Sequence, residues 1–268
     1  MAQIIEQREE YVKAAKLIRS AKHGVALTGA GLSTPSGIPD FRSPENGLWK
    51  RVDPAQTATL STFRYDQESF FTWLRLIAEP IARAKPNPAH VALTQLQERG
   101  YIQTIVTQNV DGLHQSAGAQ AVLEVHGTFH SFTCTRCFHK YRSFFEGLDD
   151  GISYVEAYLE QNAIPHCCRC GGVLKPDIIL FEEQLPQRTW QAAQRACRAA
   201  DLFLVVGSSL EVMPAAGLPM RALENNAALI LINRTPTYLD IRADVVIRED
   251  VAEVMPKITK AVINGRTD

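Results

Sequence analysis

Four of the six cysteines in this 268-residue chain are spaced as metal ligands usually are. They form two Cys-x-x-Cys pairs, Cys134 with Cys137 and Cys167 with Cys170, with 29 residues between the pairs. Two such pairs can surround one zinc ion with a tetrahedron of thiolates. Because four thiolates leave no coordination position for water, we predict one structural zinc per chain that takes no direct part in catalysis.

Three other residues could be confused with this metal site. His166 and Cys168 lie beside the second pair and are rival ligands, although Cys168 would break the two-residue spacing. Cys197 lies in an alanine-rich helical stretch, where a small buried apolar role is expected. The four paired cysteines therefore remain the predicted ligands.

A second group of residues suits a nucleotide. Gly29-Ala30-Gly31 follows a predicted strand, and glycines there let backbone N–H groups approach a pyrophosphate. Thr34 stands where the usual dinucleotide pattern has a third glycine, so a plain tight turn is the alternative for this fragment. Gly207-Ser208-Ser209 and Asn233 follow two further strands. Three such strand ends suit a nucleotide that lies across the carboxyl edge of a sheet.

Acid–base chemistry has one main candidate. His126 follows a strand that ends at Val125, and its unperturbed pKa near neutrality suits a general base. A structural histidine is the alternative. Earlier in the chain, residues 107–114 crowd several hydrogen-bonding side chains into a turn directly after a strand. A capped helix start explains that stretch equally well when it is taken alone.

Alternating strands and helices would bring these residues together. Short apolar runs predict strands over 24–28, 101–107, 122–125, 202–206 and 228–232. Helical spacing predicts an opening helix with Ile4, Ile5, Val12, Ala15 and Ile18, further helices over about 66–84 and 88–99, and a last helix capped at Asp250. Proline and glycine make residues 32–55 a long loop, and 154–160 leave room for a helix. This alternation implies a parallel sheet with a cysteine-rich insertion.

The charge balance excludes some function classes. Lys and Arg total 28, Asp and Glu total 29, and the net charge is −1. No excess of positive charge is available for electrostatic binding to nucleic acid, so no nucleic-acid partner is expected.

No apolar run reaches the roughly 18 residues of a membrane span, and the first residues do not resemble a signal peptide. We expect a soluble, cytoplasmic protein, of bacterial origin, with no membrane partner.

Taken together, these segments resemble the sirtuin family. The matching stretches occur in the family's order, and the resemblance covers the chain from about residue 10 to residue 262. They are residues 29–42, 108–114, 126–127, the four paired cysteines and residues 207–210. Each stretch is short, but their joint order is specific, and it favours the functional interpretation of the glycine turn and of His126.

The resemblance implies a fold and a division into domains. The fold would be α/β, with a Rossmann-like parallel sheet, helices on both faces, and a smaller inserted zinc-binding and helical domain. A discontinuous NAD-binding domain would comprise residues 1–36, 85–130 and 177–268. Residues 37–84 would form a cofactor-binding loop and helical module, and residues 131–176 a zinc-binding module.

The resemblance also implies a reaction that consumes NAD as co-substrate. In a sirtuin-like reaction the acyl oxygen of an acylated lysine attacks C1′ of the nicotinamide ribose. Nicotinamide leaves, and water finally releases free lysine and an O-acyl-ADP-ribose. The expected partners are therefore proteins with acylated lysines. A mono-ADP-ribosyltransferase on the same fold and a non-enzymatic zinc-binding interaction module are the alternatives, and the oligomeric state stays open.

Residue roles follow by the same resemblance. His126 would be the general base on the ribose hydroxyls, Asn109 would orient the ribose and a water, and Asp111 would hold the nicotinamide carboxamide. Ile179 and Phe181 would form walls of the lysine tunnel. The other residues that the resemblance places against NAD are Gly29, Ala30, Gly31, Ser33, Ile38, Asp40, Phe41, Arg42, Gln108, Val110, Gly207, Ser208, Ser209, Asn233 and Val251.

The sequence departs from the family pattern near the substrate. Residues 175–181 resemble the stretch whose backbone pairs with the peptide as an added strand, but Glu182 follows where the family commonly has glycine. Cys168 stands where proline is frequent. Our alignment puts Thr72 and Arg75 at the Tyr-x-x-Arg pair that selects acidic acyl groups. Because that pair is half present, we expect acetyl to be removed faster than succinyl.

Overall fold

The computed structural model describes residues 8–40, 54–142 and 164–265. In chain order its helices are α1 (Glu9–Ser20), α2 (Ala30–Ser33), α3 (Pro54–Thr57), α4 (Leu60–Tyr65), α5 (Gln67–Arg83), α6 (Pro88–Glu98), α7 (Leu113–Ser116), α8 (Gln187–Ala199), α9 (Leu218–Leu223) and α10 (Val251–Asn264). Its strands are β1 (Gly24–Thr28), β2 (Ile102–Thr107), β3 (Val122–Glu124), β4 (Gly127–Cys134), β5 (Lys140–Arg142), β6 (Leu174–Ile178), β7 (Leu202–Val206), β8 (Ala228–Ile232) and β9 (Val245–Ile247). Parts of three predicted elements, namely Ile4 and Ile5, most of the 32–55 loop and the possible helix at 154–160, lie outside the described residues.

A six-stranded parallel sheet forms the larger part of the fold. Its strand order is β3-β2-β1-β7-β8-β9, with β1 between β2 and β7. Five of these strands lie within one residue of the predicted ranges. The sixth, β9, was not predicted, because three residues carry too little periodicity to be separated from a loop.

The sheet is buried on both faces, which explains why its strands are apolar runs and not alternating patterns. Along β1, Val25 and Leu27 face α8 and α9, whereas Ala26 faces the opposite core with α1, α6 and α10. The same alternation repeats in β7, where Phe203 and Leu204 belong to opposite cores. The predicted Rossmann-like arrangement, with helices on both faces, is therefore confirmed.

Side chains cap the starts of α6 and α10, and the cap at Asp250 was predicted. The Asn87 side chain accepts a hydrogen bond from the Ala89 amide at 2.9 Å and donates another to the Leu32 carbonyl at 2.8 Å. The Asp250 side chain accepts from the Ala252 amide at 2.7 Å. Each cap satisfies an N–H group that a helix start leaves without an intrahelical partner.

A three-stranded antiparallel sheet, ordered β5-β4-β6, forms the smaller part. Asp177 of β6 joins its strands, because its carboxylate accepts hydrogen bonds from Ser131 and Thr133 of β4 and an ion pair with Lys140 of β5. The domain boundaries predicted at 130/131 and 176/177 fall inside β4 and β6. These two strands therefore run without a break from the edge of the large sheet to the cysteine pairs.

The small sheet shares a hydrophobic core with α4 and α5. Phe63, Phe70 and Phe71 form a cluster of edge-to-face rings, with centroids of Phe63 and Phe70 5.1 Å apart. This cluster packs against Phe129 and Phe132 of β4. The predicted smaller domain is thus one packed unit of helices and sheet. None of the helices within the described residues is long and apolar enough to cross a membrane.

Candidate active site

The carboxyl ends of the parallel strands converge on one cleft of about 1510 Å³. That volume exceeds the roughly 300–1,000 Å³ of an ordinary small-molecule pocket, so the cleft has room for two ligands. Most of the predicted site residues line it: Gly29, Ala30, Gly31, Ile38, Asp40, Gln108, Asn109, Val110, His126, Ile179, Phe181, Gly207, Ser208, Ser209, Asn233 and Val251. The structure therefore brings together residues that lie up to 222 positions apart, from Gly29 to Val251.

Two predicted residues within the described part of the chain, Ser33 and Asp111, do not line the cleft. Phe41 and Arg42 lie outside the described residues. Ser33 and Asp111 are buried behind the cleft wall, where the Ser33 hydroxyl donates to a carboxylate oxygen of Asp111 at 2.7 Å. Burial raises the pKa of Asp111, although bonds from the Leu113 amide and Ser33 oppose the shift. The contact predicted between Asp111 and the nicotinamide carboxamide stays a prediction.

The glycine turns pack against one another. The Gly31 amide donates to the Gly207 carbonyl at 2.8 Å. Gly207 has φ of +65°, and a Cβ there would lie 2.2 Å from the Leu32 nitrogen. The Gly31 amide is therefore used inside the protein and is not available to a pyrophosphate, although the sequence predicted that it would be. Glycine is required here so that two strand ends can approach closely enough to share one binding surface.

Asn109 is held in place by the glycine turn and by Ser33, whose hydroxyl is bonded to the buried Asp111. Its side-chain nitrogen donates to the Gly29 carbonyl at 3.0 Å and to the Ser33 hydroxyl oxygen at 3.0 Å. Its backbone amide donates to Thr107 Oγ1 at 3.0 Å. Because both donors of the amide group are used, its carbonyl oxygen is the atom left to accept a hydrogen bond from a ligand.

A buried polar chain supports Asn109 from behind. The Thr28 hydroxyl donates to Thr107 Oγ1 at 2.8 Å and lies 2.9 Å from His114 Nε2. The ring of His90 meets that of His114 edge to face, with centroids 5.1 Å apart. Burial lowers the pKa of His90 to about 4 and that of His114 to about 3, so both rings are neutral. No role for these histidines could be predicted from the sequence; the structure places them under the ends of β1 and β2.

His126 has the geometry of a general base. Its Nδ1 lies 3.2 Å from the Gln108 carbonyl oxygen. Because a carbonyl oxygen can only accept, Nδ1 carries the proton, and Nε2 is left as the basic nitrogen. Burial lowers the pKa of His126 below its ordinary value of 6.5, although the bond to Gln108 opposes the shift. The imidazole is therefore neutral near pH 7 and able to take a proton.

The predicted substrate stretch lies directly beside His126. The Ile179 amide donates to the His126 carbonyl at 2.8 Å, and the Phe181 amide donates to the Ala58 carbonyl at 3.0 Å. Between them, the Leu180 amide donates to a carboxylate oxygen of Glu183 at 2.9 Å. All three amides are thus used within the chain, and the predicted pairing of this stretch's backbone with a peptide stays a prediction. All three residues line the cleft.

Helix α5 brings two large apolar residues to the cleft. Trp73 and Ile77, one helical turn apart, line the cleft, whereas Thr72 is exposed to solvent. Arg75 does not line the cleft either. Within the described residues, Trp73 and Ile77 are thus the α5 residues at the cleft, and the assignment of Thr72 and Arg75 to the Tyr-x-x-Arg positions stays a prediction.

Sequence reasoning also missed two polypeptide segments of the cleft wall. Residues 211–214 and 234–236 line it, next to the predicted turns that follow β7 and β8. Trp190 of α8 lines it as well. Each segment directly continues a strand-end turn, so their position at the cleft follows from the parallel sheet once the strand order is known.

The cysteine cluster fits a zinc ion. The four sulfur atoms of Cys134, Cys137, Cys167 and Cys170 lie within 4.8 Å of one another. The Sγ atoms of Cys134 and Cys170 are 3.4 Å apart, and those of Cys137 and Cys167 are 3.7 Å apart. These separations are close to the roughly 3.8 Å expected between ligands of a tetrahedral zinc thiolate, and far above the ~2.05 Å of a disulfide. The predicted ligand set is confirmed.

The rival residues are not part of this cluster. Cys168 is exposed, and its Sγ lies 3.2 Å from the Tyr141 hydroxyl oxygen. His166 Nδ1 lies 2.7 Å from the Ile164 carbonyl oxygen. Cys197 is buried in the core between the large sheet and α8. The interpretations given to these residues from the sequence are therefore confirmed.

Comparison with known proteins agrees with this geometry. Residues 29–214 match the model of the Sir2 family. NAD-dependent protein deacetylase 1 of Geobacillus kaustophilus is 42% identical over 91% of this chain and 95% of its own length. NAD-dependent protein deacylase 2 of Archaeoglobus fulgidus is 40% identical over 97% and 99%. A solved structure of Sir2 with a p53 peptide and NAD+ has a TM-score of 0.80 and 36% identity, over 94% of this chain and 97% of that one.

Proposed function

The chain belongs to the Sir2 family, and from this premise we propose how its residues perform NAD-dependent removal of acyl groups from protein lysines. The products are nicotinamide, an O-acyl-ADP-ribose and free lysine. NAD, when bound, supplies the ADP-ribose that accepts the acyl group. The acyl-lysine protein is the second substrate, and the cleft is large enough for both.

One observation carries the proposal: the fixed tautomer of His126 in the shared cleft. The Gln108 carbonyl holds the proton on Nδ1, so Nε2 is the atom that takes a proton from a ribose hydroxyl. The His126 carbonyl accepts from the Ile179 amide at 2.8 Å. His126 is thus hydrogen-bonded to Gln108, on the proposed nucleotide side of the cleft, and to Ile179, on the proposed substrate side.

Asn109 serves the same step as an orienting group. Its amide nitrogen is bonded to Gly29 and Ser33, so its carbonyl oxygen has a fixed direction. That oxygen accepts from a ribose hydroxyl or from a water molecule and keeps it in position for reaction. Asp111 holds Ser33, which in turn holds Asn109, and so acts as a positioning residue in this structure.

Side chains along the large sheet's edge suit the rest of the nucleotide. Ser208 and Ser209 follow β7 at the glycine turn, and Ser208 Oγ accepts from the Gln108 side chain at 2.9 Å. Asn233 follows β8, and its side-chain nitrogen bonds to Thr235. Its carbonyl oxygen thereby remains for a sugar hydroxyl. We place the phosphates at the serines, the adenine ribose at Asn233 and the adenine beside Val251.

The four cysteines hold zinc outside the cleft, where it stabilises the smaller sheet. Because the thiolates complete a tetrahedron, the metal leaves no position for substrate or water. Its contribution is to folding, and all proton transfers belong to the cleft residues. We also place the protein in the cytoplasm, in line with its expected bacterial origin and with an abundant supply of NAD there.

The function is tested with NAD+ and one acetyl-lysine peptide. Release of nicotinamide together with a peptide lighter by one acetyl group supports deacylation. A peptide that gains the mass of ADP-ribose would instead indicate ADP-ribosyl transfer. No release of nicotinamide from folded, zinc-loaded protein would contradict the proposal.

A further inference from the structure

Glu182 has an unusual backbone conformation at the edge of the cleft. Its φ is +74°, in the left-handed region that favours glycine. A residue with a side chain is less stable in this region than glycine, because its Cβ crowds the backbone. The chain nevertheless has a glutamate here, immediately after Phe181 of the substrate stretch, and Glu182 lines the cleft.

The Glu182 carboxylate is held in a fixed position by α4. One oxygen, Oε2, accepts from the Ser61 amide at 2.9 Å and from the Ser61 hydroxyl at 2.7 Å. Both bonds go to the same oxygen and both donors are uncharged, so Oε1 and the negative charge remain available. Among the residues that the structure describes, Glu182 has no basic partner within ion-pair distance, whereas its neighbour Glu183 pairs with Lys175 at 2.9 Å.

The backbone at Glu182 is also available to a ligand. The amides of Ile179, Leu180 and Phe181 are all used inside the chain. The amide of Glu182 is the first in this stretch without a hydrogen-bond partner in the described part of the chain. A peptide that runs along the stretch can therefore pair its backbone at Glu182, where it meets the fixed carboxylate.

On the premise of the deacylase function, we infer that Glu182 forms an anionic subsite for a basic side chain of the substrate. An arginine or lysine within two residues of the acyl-lysine donates to Oε1 of Glu182. Because Ser61 already orders the carboxylate, little side-chain freedom is lost when the ion pair forms. Substrates with basic flanking residues are preferred, and substrates with acidic residues at the same position are repelled.

The test is a flank scan with acetyl-lysine peptides. Arginine, alanine and glutamate are placed in turn at the positions −2, −1, +1 and +2 from the acetyl-lysine, and kcat/KM is measured with saturating NAD+. At one position, arginine should exceed alanine by about two- to fivefold, as expected for a solvent-accessible ion pair. Raising the salt concentration from about 0.05 to 0.5 M should reduce the advantage, because salt screens such pairs.

Two variants identify the residue responsible. Glu182→Gln keeps an oxygen for both Ser61 bonds but removes the charge, so the ratio of the arginine to the glutamate peptide should fall to about one. Glu224→Gln removes the same charge from an exposed helix end away from the cleft and should retain the wild-type ratio. A preference that survives in Glu182→Gln, or a flat scan in active wild-type enzyme, would overturn the inference. Failure of wild-type enzyme to deacylate every peptide would instead overturn the function proposed above.

Discussion

A single carbonyl fixes the chemistry of His126. The Gln108 oxygen keeps the proton on Nδ1, so Nε2 is the nitrogen that we propose accepts a proton from substrate. His126→Ala should lower kcat by about 10²–10⁴-fold, because the general base is lost. Thermal unfolding should change little, since the side chain lies at the wall of the cleft. His23→Ala, at an exposed histidine, is the matched control and should keep wild-type turnover. A His126→Ala variant with full activity would disprove the assignment.

The decline of kcat/KM at acidic pH should report the protonation of His126. Burial lowers the pKa of His126 below 6.5, and only the neutral ring can accept a proton. Activity should therefore persist below pH 6.5 and decline only as the pH falls through this lowered pKa. The measurement is kcat/KM for an acetyl-lysine peptide from pH 5 to 8, which titrates the free enzyme. An acid limb above pH 6.5 would contradict the environment described here.

The acyl preference is also decided by individual side chains. Trp73 and Ile77 present apolar surface where a charged acyl chain would need a cation. An unpaired carboxylate is costly to bury, so acetyl should be removed at least about tenfold faster than succinyl. The measurement is kcat/KM for both acyl groups in one peptide sequence. Arg75→Ala should leave this ratio unchanged, because Arg75 does not line the cleft. A succinyl preference would require a different register of α5.

At this scale the sequence predicted most of the described residues that lie at the strand ends, polar and apolar, but not those of α5. Asn109, Ser208 and Asn233 could be found because polar side chains directly after buried strands have few structural reasons to be there. Trp73 and Ile77 could not be separated from ordinary core residues, because the face of α5 that meets the cleft depends on packing against the small sheet.

At the scale of elements, the cysteine pairs fasten the ends of β4 and β6. Cys134→Ser removes a zinc ligand, so metal content should fall and the melting temperature should drop, because zinc binding contributes folding free energy. Cys168→Ser is the matched control, one residue from a ligand, and should keep one zinc per chain. Elemental analysis and thermal unfolding of both variants decide the matter. Full stability of a metal-free Cys134→Ser protein would contradict a structural zinc.

Five of the six parallel strands were predictable, and the antiparallel strands were not. β1, β7 and β8 are continuous apolar runs, because both faces of the large sheet are covered. β4 has an irregular burial pattern, and its pairing with β6 shifts register between Gly127 and Phe132. No simple period marks such a strand, so the small sheet could only be inferred from its cysteines.

The whole molecule should lose stability in acid because of His90 and His114. Their pKa values, about 4 and about 3 in the folded protein, lie below the 6.5 of an unfolded chain. The unfolded state therefore binds more protons below pH 6.5, and the free energy of unfolding falls as the pH drops toward 4. Each histidine contributes a slope of up to about 1.4 kcal/mol per pH unit.

Urea unfolding at pH 7, 6 and 5 measures this slope. Asp111 and Glu124 have raised pKa values through burial and contribute with the opposite sign, so variants are compared with wild type. His90→Gln should reduce the slope, and His23→Gln, at an exposed histidine, should not change it. Equal slopes in wild type and His90→Gln would show that His90 is protonated in the folded state.

The unbroken course of β4 limits how this chain can change in length during evolution. The strand begins at Gly127, beside His126, the proposed general base, and ends at Cys134, one of the four cysteines of the predicted zinc site. From Phe132 to Cys134 the pairing with β6 is continuous and successive residues point to opposite faces, so deletion of one residue there would reverse the side chains on one side of the deletion. Either the base or the metal ligand would then point the wrong way. Insertions and deletions should therefore be eliminated by selection within this strand, even where single substitutions are accepted.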